Sequence, residues 1–261
     1  MNLLEKQMVD KLIDLKENHN IIGVKAEFEA EGMRFDEALR LKDITAKSGL
    51  DLTIKIGGCE AIKDLYEVKD IGISAIVAPM VETPYAMKKF VKALNLVFPK
   101  DEHQDIKFYI NIETITGFNN LNDMILAPEF NELSGIVLGR SDMTASMGLS
   151  KMEVNSELIL NIAQVISNKI MLTNKELIIG GNVSLDSIQF FNAIQYLSKF
   201  ETRKIIFDSK VLNRPNVSEA LNKALEFEIM WLKNKRDAYG IFLKQDEDRL
   251  EMLRKSISLY S

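Results

Sequence analysis

Cysteine is almost missing: Cys59 is the only one in 261 residues. No internal disulfide can form, and a reducing, cytoplasmic compartment is the simplest expectation. Proline is scarce, with five in the chain, and no low-complexity tract occurs, which argues against a long disordered linker. No apolar run approaches the roughly 20 residues that a membrane-spanning helix needs. The first residues, Met1-Asn2-Leu3-Leu4-Glu5-Lys6, carry an acid early and lack the apolar core of a signal peptide, so no leader and no membrane association are expected. There is no basic block, and the formal net charge is −5, which makes nucleic acid a poor partner. Zinc-ligand spacings, a Walker loop and a G-x-G-x-x-G are all missing. Of the two histidines, His19 precedes the first expected strand and His103 sits in a loop entering a later one, at the end of a sheet away from function. Cys59 therefore has no partner for Cys–His nucleophilic chemistry.

What is present is a core and a repeat. Hydrophobic residues make up 46 % of the chain, enough for one large α/β domain. Helix spacing over residues 2–17 is followed by a strand over 21–28 and a helix over 35–47. Strands at 52–56, 73–78, 107–112, 135–138, 177–179 and 204–207 then alternate with helices at 60–70, 85–97, 118–127, 156–170 and 185–198. Strand–helix alternation implies a parallel sheet with right-handed crossovers. This number of units favours a (β/α)8 TIM barrel over a doubly wound open sheet. Seven strands are clear, so the first strand of an eight-stranded barrel is expected to be shortened or missing. The barrel with its N-terminal helix should occupy residues 1–214. Residues 215–261 should form a helical extension, broken near Gly240, between segments 218–239 and 245–259. It is too apolar for a free tail, so it should pack on the barrel or on a neighbouring subunit.

In either architecture, function lies at the carboxyl ends of the strands. Two adjacent strands deliver Glu113 and Asp142 there. A pair of carboxylates, completed by waters and a chelating substrate, suits Mg²⁺ or Mn²⁺; the alternative is that Glu113 caps a helix and Asp142 makes a turn. Asn111 shares a strand face with Glu113, placed to bond a substrate oxygen or to serve as an internal polar bond. Lys55 reads as the only cation within a strand core. It faces either an anionic ligand or an ion-pair partner among the glutamates Glu27, Glu29 and Glu31. The segment Gly139-Arg140-Ser141 precedes Asp142 and offers backbone N–H groups to a substrate carboxylate; a simple turn is the other reading.

Three stretches carry a family resemblance: Ala78-Pro79-Met80-Val81-Glu82-Thr83, Ile112-Glu113-Thr114 and Leu138-Gly139-Arg140-Ser141-Asp142-Met143-Thr144-Ala145-Ser146-Met147-Gly148. In order and spacing they resemble the HpcH/HpaI aldolase and citrate lyase β-subunit superfamily, over about residues 22–210. The resemblance implies a phosphoenolpyruvate/pyruvate-type barrel with Mg²⁺ or Mn²⁺ held by Glu113 and Asp142. It implies a lyase or aldolase that makes or breaks a C–C bond of a 2-oxo acid, such as pyruvate or oxaloacetate, through a metal-stabilised enolate. It also implies substrate binding by Asn111, Gly139, Arg140 and Ser141, and a homo-oligomer through the C-terminal helices. Two positions depart from the pattern. Lys55 stands where the family has an arginine, and Glu27-Phe28-Glu29-Ala30-Glu31 stands where it places a histidine. Lys55 and Glu29 then become the expected catalytic groups. A citrate lyase-like acyl-CoA lyase and a diverged, non-catalytic ligand-binding barrel are the alternatives.

Overall fold

A computed structural model describes residues 1–258, and the side chains of these residues apart from Phe242 and 254–258. In chain order the elements are α1 (Leu3–His19), β1 (Ile21–Glu27), α2 (Phe35–Lys47), β2 (Asp51–Lys55), α3 (Ile62–Ile71), β3 (Ala75–Ala78), α4 (Pro84–Val97), β4 (Lys107–Ile112), α5 (Ile115–Asn119), α6 (Leu121–Leu126), β5 (Gly135–Gly139), α7 (Arg140–Ser146), α8 (Glu157–Met171), β6 (Glu176–Gly180), α9 (Ser187–Asn192), β7 (Lys199–Glu201), β8 (Ile205–Asp208) and α10 (Val217–Ser258). The strands close into one barrel in the order β1 to β8. No helix among the described residues is long and apolar enough to cross a membrane.

Strand periodicity sets what fills the barrel. On β4, Phe108, Ile110 and Ile112 belong to the apolar cluster that packs against the helices. The alternate residue Tyr109 joins Ala75, Val77, Val137 and Ile178 in a small inner cluster. Below that plug, Glu176 binds Lys107 and Lys199 and accepts a hydrogen bond from the Tyr109 hydroxyl. Burial opposes its ionisation, but the hydrogen bonds from Lys199, Tyr109 and Lys107 prevail and hold it at about 2. The space above the plug is polar and open.

The first strand is neither short nor missing: β1 has seven residues. The irregularity lies at the other end of the barrel. The strand hidden from sequence reading is β7, three residues long, placed where the helix over 185–198 was expected to end. β7 runs parallel to β6, but β8 is antiparallel to both β7 and β1. Arg203 and Lys204 form the turn between them: the Thr202 N–H donates to Ile205 O at 2.9 Å, and the Ile205 N–H donates to Thr202 Oγ1 at 3.1 Å. Cross-strand stacking of Phe200 on Phe207, with centroids 4.9 Å apart, compensates for so short a pairing.

The antiparallel β8 returns the chain to the amino-terminal end of the barrel, and α10 climbs the outside from there. It packs on α1, where Met8, Leu12 and Leu15 meet a helix that buries Leu221, Phe227 and Trp231. No break occurs at Gly240; α10 is one helix of 42 residues, about 60 Å long at the usual rise. One glycine costs a helix interior about 1 kcal/mol, which a helix of this length absorbs. Leu259, where the helix was expected to end, lies outside the described residues.

Candidate active site

Glu113 follows the last residue of β4 and is 2 % exposed. It does not cap the next helix. Thr114 does that, its hydroxyl accepting the Gly117 N–H at 3.1 Å. The Thr114 hydroxyl in turn donates to Glu82 Oε1 at 2.6 Å. Glu113 is left facing inward. Its Oε1 accepts the Met80 N–H at 2.8 Å, and its Oε2 accepts Asn111 Nδ2 at 2.7 Å. Met80 reaches it through a left-handed backbone, φ 52°. The segment from Met80 to Thr83 thus frames Glu113 rather than forming a site of its own.

Glu113 is short of positive charge. Burial pushes its carboxyl above the usual range, the Lys55 charge and two hydrogen bonds oppose that only in part, and Asp142 adds to it. Lys55 Nζ is 4.0 Å from Glu113 Oε2, too far for a hydrogen bond. Beside the carboxylate, Asn111 Oδ1 is buried with no hydrogen-bond partner, a state that costs free energy unless something binds there. Asn111 is therefore both an internal polar bond, through Nδ2, and an unfilled acceptor.

One cavity of about 730 Å³ opens at this rim, lined by Lys55, Asn111, Glu113, Gly139, Ser141 and Asp142 among others. Six of the eight expected site residues therefore meet in one place. Asp142 sits in the first turn of α7. Gly139 matters for its missing side chain, because a Cβ there would come within 2.7 Å of Glu113 Oε2.

Two expected residues lie elsewhere. Glu29 is exposed on the turn after β1 and does not line the cavity. The two-residue strand period brings in Glu27 instead. Arg140 is 0 % exposed and points away from the cavity. It donates to Gly180 O at 3.1 Å, Gly181 O at 2.9 Å and Asn155 Oδ1 at 2.5 Å, and it lies over the rings of Phe190 and Phe191. Burial pulls it down to about 9, still above neutral pH, so it remains a cation. Its acceptors are neutral and its role is to fasten α7 to the loop after β6.

Lys55 is not the only cation in a strand core. Lys25, on β1, is 5 % exposed. Its Nζ binds Glu201 and lies 3.1 Å from Glu27 Oε1, while Lys55 Nζ is 3.4 Å from Glu27 Oε2. Burial disfavours the Lys25 charge, but Glu201 and Glu27 outweigh it and push its pKa up. Burial likewise disfavours ionised Glu27, and the charges of Lys25 and Lys55 bring it below the usual carboxylate range. A chain of alternating charge thus runs from Glu201 through Lys25, Glu27 and Lys55 to Glu113. Lys25 was legible in the alternation Gly23, Lys25, Glu27. Glu201 was not, because β7 itself went unseen.

The residues fit a hard divalent cation. Glu113, Asp142 and Asn111 Oδ1 are all oxygen donors, and Asn111 Oδ1 is left without a hydrogen-bond partner. Among the described residues no group of three or more His, Cys, Asp or Glu side chains is gathered to hold a metal. Substrate or water oxygens would complete the shell.

The fold matches solved structures of low sequence identity. An HpcH/HpaI aldolase from Desulfitobacterium hafniense DCB-2 superposes with a TM-score of 0.59 at 11 % identity, covering 77 % of this chain and 84 % of the other. An HpcH/HpaI aldolase/citrate lyase family protein from Burkholderia cenocepacia J2315 gives 0.56 at 12 %, covering 87 % and 98 %. A variant of the citrate synthase SbnG gives 0.55 at 15 %, covering 84 % and 89 %. No curated protein matches the chain in sequence. The family model for HpcH/HpaI aldolase/citrate lyase matches residues 37–186, a span that contains Lys55, Asn111, Glu113, Gly139 and Asp142. The chain belongs to the HpcH/HpaI aldolase/citrate lyase family, a membership that supports a lyase or aldolase kind of function.

Proposed function

We propose that this protein is a divalent-metal-dependent carbon–carbon lyase or aldolase acting on a 2-oxo acid. The observation that carries the reading is the undercompensated carboxylate of Glu113, set beside the orphaned Asn111 Oδ1 and opening with Asp142 onto one cavity. Glu113 and Asp142 would hold Mg²⁺ or Mn²⁺, and Asn111 Oδ1 offers a further oxygen. A bound divalent cation supplies Lewis-acid polarisation of the substrate carbonyl.

The remaining work falls to the chain's own residues. Lys55 presents its ammonium at the rim between Glu27 and Glu113, where it attracts the substrate carboxylate and balances charge that builds on the oxo oxygen. Glu27 takes over the role expected of Glu29. Held ionised by two lysines, it accepts the proton of the substrate hydroxyl as the C–C bond breaks and the aldehyde leaves. It then returns that proton to the carbon left behind. Asn111 Nδ2 keeps Glu113 from rotating. The apolar residues of distal α10, with Ile241 61 % and Leu243 64 % exposed, are read as the surface that a second copy covers.

The test is calorimetric titration of Mg²⁺ and Mn²⁺ into the protein with and without pyruvate. Binding that is strengthened by pyruvate and lost in both Glu113→Gln and Asp142→Asn supports the reading. Binding undiminished in both variants overturns it.

A further inference from the structure

α10 has two faces, and the barrel covers one of them. Phe227, Trp231 and Asn234 are buried against the domain. On the far side of the same turns lie Ile229 and Leu232, and Leu243, Leu250 and Leu253 continue their line along the distal helix, all between 44 % and 64 % exposed. Beyond Gly240 every described side chain of α10 is exposed. The line has the spacing of a coiled-coil seam. From Ile229, alternating steps of three and four residues pass through Leu232, Arg236, Tyr239, Leu243, Asp246 and Leu250 to Leu253, which keeps one seam toward a partner helix over roughly 37 Å. Tyr239, half-buried through its bond to Glu37 of α2, marks where the seam leaves the domain.

The seam is symmetric about Ile241. Arg236 and Asp246 stand five residues to either side of it, Tyr239 and Leu243 two, Leu232 and Leu250 nine, and Ile229 and Leu253 twelve. A second copy laid antiparallel, with the two Ile241 positions level, sets apolar residue on apolar residue along the whole seam. It also sets Arg236 on the partner's Asp246, and the two-fold axis makes that contact twice. Parallel pairing would set arginine on arginine and aspartate on aspartate. The Arg236 side chain is 75 % exposed and reaches the adjacent, exposed Asp237 at 2.9 Å, a surface pair worth little and readily exchanged for a better one.

We propose that α10 pairs with α10 of a second copy as an antiparallel two-stranded coiled coil centred on Ile241, with Arg236 and the partner's Asp246 fixing its direction and register. Ion pairs within such a seam add little net affinity, but every other alignment leaves a charge against leucine or against its own kind. The proposal rests on the reading that a second copy covers distal α10 and gives that contact its geometry.

Sedimentation equilibrium and disulfide trapping test it on the full chain. The wild type should associate. Arg236→Asp, which sets a carboxylate against the partner's Asp246, should weaken association by about tenfold or more, because like charges are forced together at a desolvated seam. Arg236→Asp combined with Asp246→Arg should restore it. In a Cys59→Ser background, Leu232→Cys with Leu250→Cys should form disulfide-linked dimers under oxidised glutathione, and neither substitution alone should do so. The two positions are about 27 Å apart along one helix, so a bond between them joins two chains. Cross-linking by either single variant, no cross-link in the double variant, or association indifferent to Arg236→Asp overturns the antiparallel register and leaves a second copy on α10 standing. A monomeric wild type overturns both. The four seam residues substituted are exposed in the single chain, and thermal melts confirm that each variant folds.

Discussion

Gly139 and Glu113 share a space that holds only one side chain: a Cβ on Gly139 would stand 2.7 Å from Glu113 Oε2 and 2.8 Å from Glu113 Cβ. The end of β5 has to be bare for the end of β4 to carry its carboxylate inward. Gly139→Ala should push Glu113 off Met80 and Asn111 and cost about 1–3 kcal/mol, as overpacking typically does. Denaturant melts and metal titration check both effects. Wild-type stability with intact metal binding would refute the packing argument.

The ionisation of Glu113 gives a pH signature. Burial raises its pKa in the folded state above the ordinary carboxylate value of 4.5. The folded protein therefore holds this proton more tightly than the unfolded chain. Its contribution to stability is intact below about 4.5 and is lost as pH rises through the folded value. Glu113→Gln has no such loss, and the Asn111 amide can turn its free Oδ1 toward the new donor. In metal-free buffer the variant should gain on the wild type as pH rises past 4.5 toward neutrality. Mg²⁺ should stabilise the wild type and leave the variant unchanged. Parallel pH profiles for the two proteins would contradict this account.

Lys25 is compensated by two carboxylates that burial would otherwise leave stranded. Lys25→Met should destabilise by about 3–5 kcal/mol, because Glu201 keeps its buried charge with no partner. Adding Glu201→Gln should recover much of the loss. The double-mutant cycle measures the coupling; simple additivity would mean that the two groups act independently.

Gly240 sits inside α10, and a Cβ there meets nothing within 4 Å. Gly240→Ala should stabilise the helix by roughly 0.5–1 kcal/mol. Hydrogen exchange across residues 235–245 would show greater protection; unchanged exchange would count against it.

If a second copy covers distal α10, Ile241→Asp with Leu243→Asp should shift sedimentation toward monomer. An unaltered sedimentation coefficient would show that this face is not the contact.

The fold was legible where the chain repeats itself. Six parallel strands, β1 to β6, announce themselves as apolar runs followed by helices with caps such as Thr83, Thr114 and Ser156. β7 did not, because Lys199-Phe200-Glu201 is too short for any periodicity and takes its shape from stacking on Phe191 and Phe207. The reversed direction of β8 carries Asp208, which follows an apolar run just as Glu113 does, to the opposite end of the barrel from the site. The carboxylates Glu113 and Asp142 were readable because each follows a strand. The inward turn of Glu27 and the outward turn of Glu29 depend on where β1 stops, and Arg140 on which neighbour offers its carbonyls. Those are tertiary facts that no local pattern contains.

The reversed closing strand also sets an order of assembly. α1, which buries Met8, Leu12 and Leu15, is made about 200 residues before α10, the helix it packs on. The barrel cannot be sealed until residues 205–208 reach β1, some 180 positions back along the chain. During synthesis the opening helix must therefore leave the ribosome with its greasy side uncovered. A nascent chain halted anywhere before residue 217 should be a client for chaperones, and emergence of α10 should be what ends that dependence.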